Sequence, residues 1–374
     1  VSNEKNMNKN IPFFLKLNRI DWFRLKTIML TSILFPLFFT ISIYLFLGYF
    51  NAKASEFFDF TAELEVSLIE GVISGLVVVL LETYIFKKHF RKSKSIIRIG
   101  LKTIIYGIVI YLTKFGSSYF YVSSESAEFI STYSKDYLGI LTSRGIFYSL
   151  GVHMSAVIVA LFLIEIDSFL GQGATMNLLL GKYNNAKEEN RVFMFMDLKS
   201  STTIAEKLGH LTYSKLIQDC FIDVTKALLK HKGSVYQYVG DEIIISWKNI
   251  DESNIEDIVN TFEVFRDTLK NKSEYYTKNY DVVPEFKAAV HKGKVVMTEV
   301  GELKREIAFH GDVLNTTARL EGLCNEKGYS LIVSNTIYNL FVNPETYKLI
   351  ELGGLDLRGK HEKVIAYGML PYVL

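Results

Sequence analysis

Phe-Met-Asp-Leu-Lys-Ser-Ser-Thr, residues 195–202, decides the fold of the second half of this chain. The apolar run Val192 to Met196 reads as a buried strand that ends in a carboxylate, Asp197, and the polar cluster behind it opens a helix over Ser201 to Lys230, broken near Gly209 and His210. Farther on, Tyr-Val-Gly-Asp-Glu (238–242) places a Gly-Asp turn between two more strands, Val235 to Val239 and Ile243 to Trp247. A helix over Ile255 to Lys278, strands over Phe286 to His291, Val295 to Val300 and Glu306 to Phe309, and a helix over Val313 to Asn325 follow, with tail elements from Leu331 to Tyr367. Strands alternating with helices, and an antiparallel hairpin among them, give an α+β sandwich of the split-βαβ type.

Taken singly, Asp241 is a turn residue, Asp197 a strand-end or capping residue, Ser200-Ser201-Thr202 an N-cap cluster, and Asn315 and Arg319 a solvated helix face. Taken in order, the fragments 195–202, 238–242 and Asn-Thr-Thr-Ala-Arg (315–319) resemble the class III nucleotidyl cyclases over roughly Arg191 to Leu370. The resemblance implies a ferredoxin-like catalytic domain in which Asp197 and Asp241 hold two Mg²⁺ (or Mn²⁺) ions. Two metals about 3.5 to 4 Å apart suit an in-line attack of a ribose 3′-oxygen on the α-phosphorus, because charge grows on both entering and leaving oxygens. It further implies that backbone amides over Leu198, Lys199, Ser200, Ser201 and Thr202 receive the terminal phosphates, helped by Lys360 in Leu-Arg-Gly-Lys. Asn315 and Arg319, one helical turn apart, would orient the ribose and stabilise the transition state from a second copy, so the resemblance implies a homodimer. The family usually has Phe where Ser201 stands.

Base recognition departs from the family pattern. Adenylate-forming members carry Lys and Asp, guanylate-forming members Glu and a small residue, where this chain has Gln237 and Ala308. A Gln amide accepts from adenine N6 while donating to a ring nitrogen, and its one oxygen serves the two donors of guanine poorly. That favours ATP as substrate, with a guanylate or unselective cyclase as the alternative.

The first half is of another kind. The chain of 374 residues is 49% hydrophobic with a mean hydropathy of +0.18, and the apolar excess lies in four runs: Thr27 to Tyr49, Ser67 to Phe86, Ile97 to Phe115 and Gly145 to Ile166. Each is long enough for a bilayer core of about 30 Å. Basic residues from Lys5 to Lys26 and from Lys87 to Arg98 mark cytoplasmic sides, and the acidic link Glu56 to Glu65 an outer one. The sequence therefore predicts an α-helical transmembrane bundle of four spans, residues 1–166, a linker or transducing segment, 167–190, and a cyclase domain, 191–374, in the lipid bilayer of the cell membrane with N-terminus and cyclase domain in the cytoplasm.

Lys102 makes the third run the weakest of the four. No cleavable signal peptide is read, and Cys220 and Cys324 read as reduced thiols. A net charge of +2 with no basic and aromatic stripe gives no nucleic-acid partner. Gly71 and Gly75 form a GxxxG step open to dimerisation. Glu70 and Glu82 lie near opposite ends of the second run, within reach of water. An unknown membrane or extracytoplasmic signal fits the topology. Two readings of another class stay open: a catalytically silent nucleotide-binding membrane receptor, and a transporter with a regulatory domain.

Overall fold

Strand β1 (Lys187–Leu198) organises the catalytic half, because its side chains alternate between two differently covered faces of one sheet. Val192, Met194, Met196 and Leu198 enter the main core, whereas Phe193 and Phe195 enter a smaller cluster on the other face, the face that Asp197 shares by parity. The structure, a computed structural model, describes residues 60–86, 95–124, 144–171, 174–182, 185–248, 250–356 and 363–369, and isolated positions between 28 and 41. It divides into two compact units, residues 1–175 and 176–374.

In the second unit, helix α5 (Ser201–Lys230) leads from β1 to a hairpin of β2 (Ser234–Val239) and β3 (Glu242–Lys248). Helices α6 (Glu256–Asn271) and α7 (Ser273–Tyr280) then lead to β4 (Phe286–Val300) and β5 (Glu306–His310). Helix α8 (Asp312–Lys327), β6 (Leu331–Ser334), the short α9 (Asn335–Tyr338), β7 (Leu349–Leu355) and β8 (Val364–Met369) complete it. The sheet order is β2-β3-β1-β4-β6-β8-β7, with β5 paired to β4 alone. Because β3 runs antiparallel between β1 and β2, the β1-α5-β2 unit is split, which is the predicted topology.

Leu216, Cys220 and Val224 of α5, Phe262 and Phe265 of α6 and Tyr276 of α7 pack with the sheet into the main core. The opposite face receives α8, whose Leu320 and Cys324 pack on Ala289, Ile332 and Ala366. Both cysteines are buried free thiols, as predicted.

Two predicted boundaries differ. The two strands expected over 286–291 and 295–300 are one strand of 15 residues, since Gly293 is not a turn: a Cβ there would lie 3.1 Å from Val313 Cβ, so glycine admits α8 to the sheet. The helix expected over 255–278 is two, interrupted at Lys272, whose amide caps α6 through the carbonyls of Thr268 and Leu269. Lys360 lies outside the described residues.

In the first unit, α1 (Phe60–Leu81) continues into a π-helical turn (Glu82–Phe86), and α2 (Ser95–Ser124) and α3 (Arg144–Leu170) follow. These coincide with the second, third and fourth apolar runs; most of the first run lies outside the described residues. Among the described residues one stretch, Ser95–Thr113, is long and apolar enough to cross a membrane, and only 11% of it is buried in the protein, so its apolar surface faces outward. Four charges within these helices are paired across them: Lys102, with Tyr106, of α2 reaches Glu82, and Arg98 of α2 reaches Glu165 of α3. Glu82 is thus satisfied inside the unit rather than by water, and Glu70 is buried. Gly71 and Gly75 face Ser32 and Met29 of the same chain, which fills the GxxxG step internally. The short helix α4 (Ala174–Leu179) lies just before β1.

Candidate active site

Backbone register brings Asp197 and Asp241 together. Met196 of β1 is opposite Ile243 of β3, and Val239 is opposite Glu242 across the hairpin, so Gly240 and Asp241 form a two-residue turn at the end of β1. Gly240 has φ of 62°, the left-handed conformation that such a turn requires and that glycine adopts at little cost. The Asp197 and Asp241 carboxylates are neighbours, close enough for the charge of Asp241 to act on Asp197. Burial, with the neighbouring Asp241 and Glu321 carboxylates, pushes Asp197 up to about 6. Partial burial, with the neighbouring Glu321, Asp197 and Asp241 carboxylates, pushes the half-buried Glu242 up to about 7. One oxygen of Asp241 is buried and has no hydrogen-bond partner among the described residues.

Two further groups complete this cluster, and neither is evident in the sequence. Lys287 of β4, opposite Asp197 in the register, lies 3.3 Å from its carboxylate and 2.8 Å from that of Glu321 on α8. Tyr213 of α5 lies within hydrogen-bonding reach of Ser201, and burial and the charge of Asp241 push its hydroxyl up to about 12.

Between β1 and α5 the chain turns through Ser200 at φ of 56°, and the Ile204 amide makes the first intrahelical bond, to the Ser200 carbonyl at 3.0 Å. The amides of Ser201, Thr202 and Thr203 precede that bond and point out of the helix start. Leu198 has its side chain in the main core and offers only backbone. The Lys199 side chain turns to Glu285 (3.7 Å) and Ser330 (3.5 Å).

Asn315 and Arg319 do not join the carboxylates within this chain. Helix α8 buries Val313, Thr316, Thr317, Leu320, Glu321 and Cys324, which leaves Asn315, Ala318 and Gly322 exposed on its other side. Arg319 is half-buried, makes no ion pair with Asp197 or Asp241, and keeps one guanidinium nitrogen without a hydrogen-bond partner among the described residues. Gln237 is exposed on edge strand β2, opposite Ile244, and Ala308 is half-buried on β5.

A family profile described as adenylate and guanylate cyclase catalytic domain matches residues 184–370, half of the chain. Adenylate cyclase 2 of Rhizobium meliloti (strain 1021) is 31% identical over 208 residues, which cover 54% of this chain and 56% of that protein. The adenylate cyclase of Anabaena cylindrica is 22% identical over 188 residues, 49% of this chain and 37% of that protein. The chain thus spans little more than half, or less, of these curated relatives. Among solved structures, a bacterial light-regulated adenylyl cyclase has the same fold with a TM-score of 0.52 at 17% identity, over 62% of this chain and 67% of that one. Through residues 184–370 the chain belongs to the adenylate and guanylate cyclase catalytic domain family, the class III nucleotidyl cyclases.

Proposed function

We propose that this protein is a membrane-anchored adenylate cyclase, which converts ATP to 3′,5′-cyclic AMP and pyrophosphate in a homodimer. The observation that carries the reading is the juxtaposition of Asp197 and Asp241 at the end of one strand and the turn beside it. Two carboxylates so close together, one with an orphaned buried oxygen, repel each other unless a proton or a cation lies between them, and hard oxygen donors suit Mg²⁺ or Mn²⁺. When bound, such ions supply charge neutralisation at the reacting phosphate and acidify the ribose 3′-hydroxyl.

The chain's own groups do the rest of the positioning. The amides at the start of α5 receive the β- and γ-phosphates, aided by Lys360, and fix the α-phosphorus ahead of Asp197. Asn315 orients the ribose, and Arg319 donates to the α-phosphate oxygens as charge grows in the transition state. Both come from the second copy, because within one copy they stand apart from the carboxylates. Gln237 reads the purine edge, accepting from N6 and donating to a ring nitrogen, beside Ala308.

That the curated relatives are adenylate cyclases favours ATP. Ala308 favours a second reading, an unselective cyclase, because its methyl group offers adenine N6 no acceptor. Residues 1–166 serve as a four-span anchor in the cell membrane, with N-terminus and catalytic domain in the cytoplasm, and residues 167–190 carry a membrane or extracytoplasmic signal to the enzyme.

The test is cyclic nucleotide formed by the full chain from ATP and, separately, GTP with Mg²⁺ or Mn²⁺, beside Asp197→Ala and Arg319→Ala. Cyclic AMP that vanishes in both variants is the expected result. Product from GTP at an equal rate selects the unselective enzyme, and no product from either nucleotide selects a silent nucleotide-binding receptor.

A further inference from the structure

Strand β5 pairs only with the far end of β4, and β2 is the edge of the sheet beyond β3. No ladder hydrogen bonds therefore join the two strands that carry Gln237 and Ala308 to each other directly, and side chains bridge the space between them. Those side chains are Tyr236 and Phe309, the immediate neighbours of Gln237 and Ala308, together with Phe193 of β1. Their ring centroids are 4.9 Å apart for Tyr236 and Phe309, 5.5 Å for Phe193 and Phe309 and 6.2 Å for Phe193 and Tyr236, all near edge-to-face, the arrangement that aromatic quadrupoles prefer. Val235 packs on the main core and Tyr236, next along the strand, on this cluster, and the register shift between Val235 and Gln237 places Gln237 opposite Ile244, a residue of the same cluster. The Tyr236 hydroxyl accepts a hydrogen bond from the Phe309 amide at 3.3 Å, which ties β2 directly to β5.

Beneath the rings lies Arg191, on the same face of β1. Its guanidinium stacks 4.5 Å from the Phe309 ring centroid and is held from behind, by Glu189 at 3.0 Å and by the Ser246 hydroxyl at 3.2 Å. Glu189 is buried and also accepts from Lys248 at 2.7 Å, so Arg191 is fixed at the end of β1 where the chain enters the domain.

Resting on the reading of Gln237 and Ala308 as base-recognition positions, we propose that Arg191, Phe193, Tyr236 and Phe309 form a clamp that sets purine specificity by fixing the separation of those two positions. Tyr236 and Arg191 are positioning residues: they act on the base through their neighbours. The clamp also supplies the rigidity that a single Gln amide needs in order to discriminate, since a reader free to shift by an ångström can meet guanine as well as adenine.

The test uses the full chain and measures kcat and KM for ATP and GTP, and displacement of a fluorescent ATP analogue by each nucleotide, for Tyr236→Phe, Arg191→Met, Arg191→Lys and Gln237→Ala. Tyr236→Phe keeps the ring and loses one hydrogen bond, so the preference for ATP over GTP falls by about threefold to tenfold, through KM more than kcat. Arg191→Met shifts the preference the same way. Arg191→Lys resembles Met where the stacked guanidinium matters, and resembles the unaltered protein where pairing with Glu189 is all that counts, which would remove Arg191 from the clamp.

A preference unchanged in Tyr236→Phe and Arg191→Met but altered in Gln237→Ala overturns the clamp and leaves the base-recognition reading intact. A preference unchanged in all variants overturns both. Tyr236→Phe removes a single oxygen, so it carries the test even where a substitution at Arg191 prevents folding.

Discussion

Lys287 pairs with the carboxylates of Asp197 and Glu321, and its charge also reaches Glu242. With Glu321 it forms an almost buried ion pair, and removing one partner of such a pair leaves the other charge uncompensated. Lys287→Met is expected to destabilise the domain by about 3 kcal/mol, read as a lower melting temperature, and Lys287→Met with Glu321→Leu to recover most of that loss. A double variant no better than the single one would show that Lys287 serves Asp197 rather than Glu321. The same cluster fixes a pH dependence. Asp197 at about 6 and Glu242 at about 7 lie above the ordinary carboxylate range near 4, so the folded protein holds protons that the unfolded chain has released. That contribution to stability is complete below pH about 4 and is lost as pH rises through 6 to 7. Divalent metal competes with those protons. The rise in melting temperature on adding Mn²⁺ should therefore be larger at pH 7.5 than at pH 5.5, and equal rises would count against metal binding at this pair. The places of Asp197 at a strand end and of Asp241 in a glycine turn were legible because the apolar run and the Gly-Asp step mark them locally, whereas their pairing as a metal site was drawn from the resemblance. Lys287 and Glu321 were not legible, since a charge on a strand or a helix reads as solvent-facing until the register places Lys287 opposite Asp197 and α8 brings Glu321 to it.

Helix α8 reaches the sheet only because of glycine at position 293. A side chain there would meet Val313 at 3.1 Å from its Cβ, and overpacking of this kind costs about 1 to 3 kcal/mol. Gly293→Val should lower the melting temperature and depress activity further than stability alone explains, since α8 carries Asn315 and Arg319; full activity in a folded Gly293→Val protein would show that the seating of α8 is not critical. This is also where the sequence misleads: Lys-Gly-Lys between two apolar runs has the composition of a turn, and a close approach from a helix still to come has no local mark. The interruption of α5 at Gly209, where φ is 70°, was legible for the opposite reason, because backbone freedom alone decides it. Lys102, the residue that made the third apolar run look weakest, finds Glu82 on the neighbouring helix. A pairing across elements is invisible to hydropathy read one segment at a time.

At the scale of the whole molecule, the proposed function makes one copy of the chain an incomplete enzyme. Its Asp197 faces Lys287, which Glu321 also holds, and its Arg319 stands on a helix side flanked by exposed Asn315, Ala318 and Gly322. Small residues along that side leave room for another surface to approach closely, and a guanidinium nitrogen without a partner awaits an acceptor. A two-fold pair in which each α8 serves the other copy's carboxylates satisfies both conditions and creates two equivalent sites. Mixed dimers test this directly. Asp197→Ala and Arg319→Ala should each be inactive alone, the first lacking metal ligation in both sites and the second lacking the guanidinium in both. Co-expressed at equal levels, the two chains pair at random and about half of the dimers are mixed. In a mixed dimer one site combines both defects, while the other combines the intact carboxylates of the Arg319→Ala chain with the intact arginine of its partner. Cyclic AMP formation should therefore recover to about a quarter of the unaltered protein's rate. If Arg319 instead serves the carboxylates of its own chain, every site in every dimer carries a defect and the mixture stays as inactive as its parts.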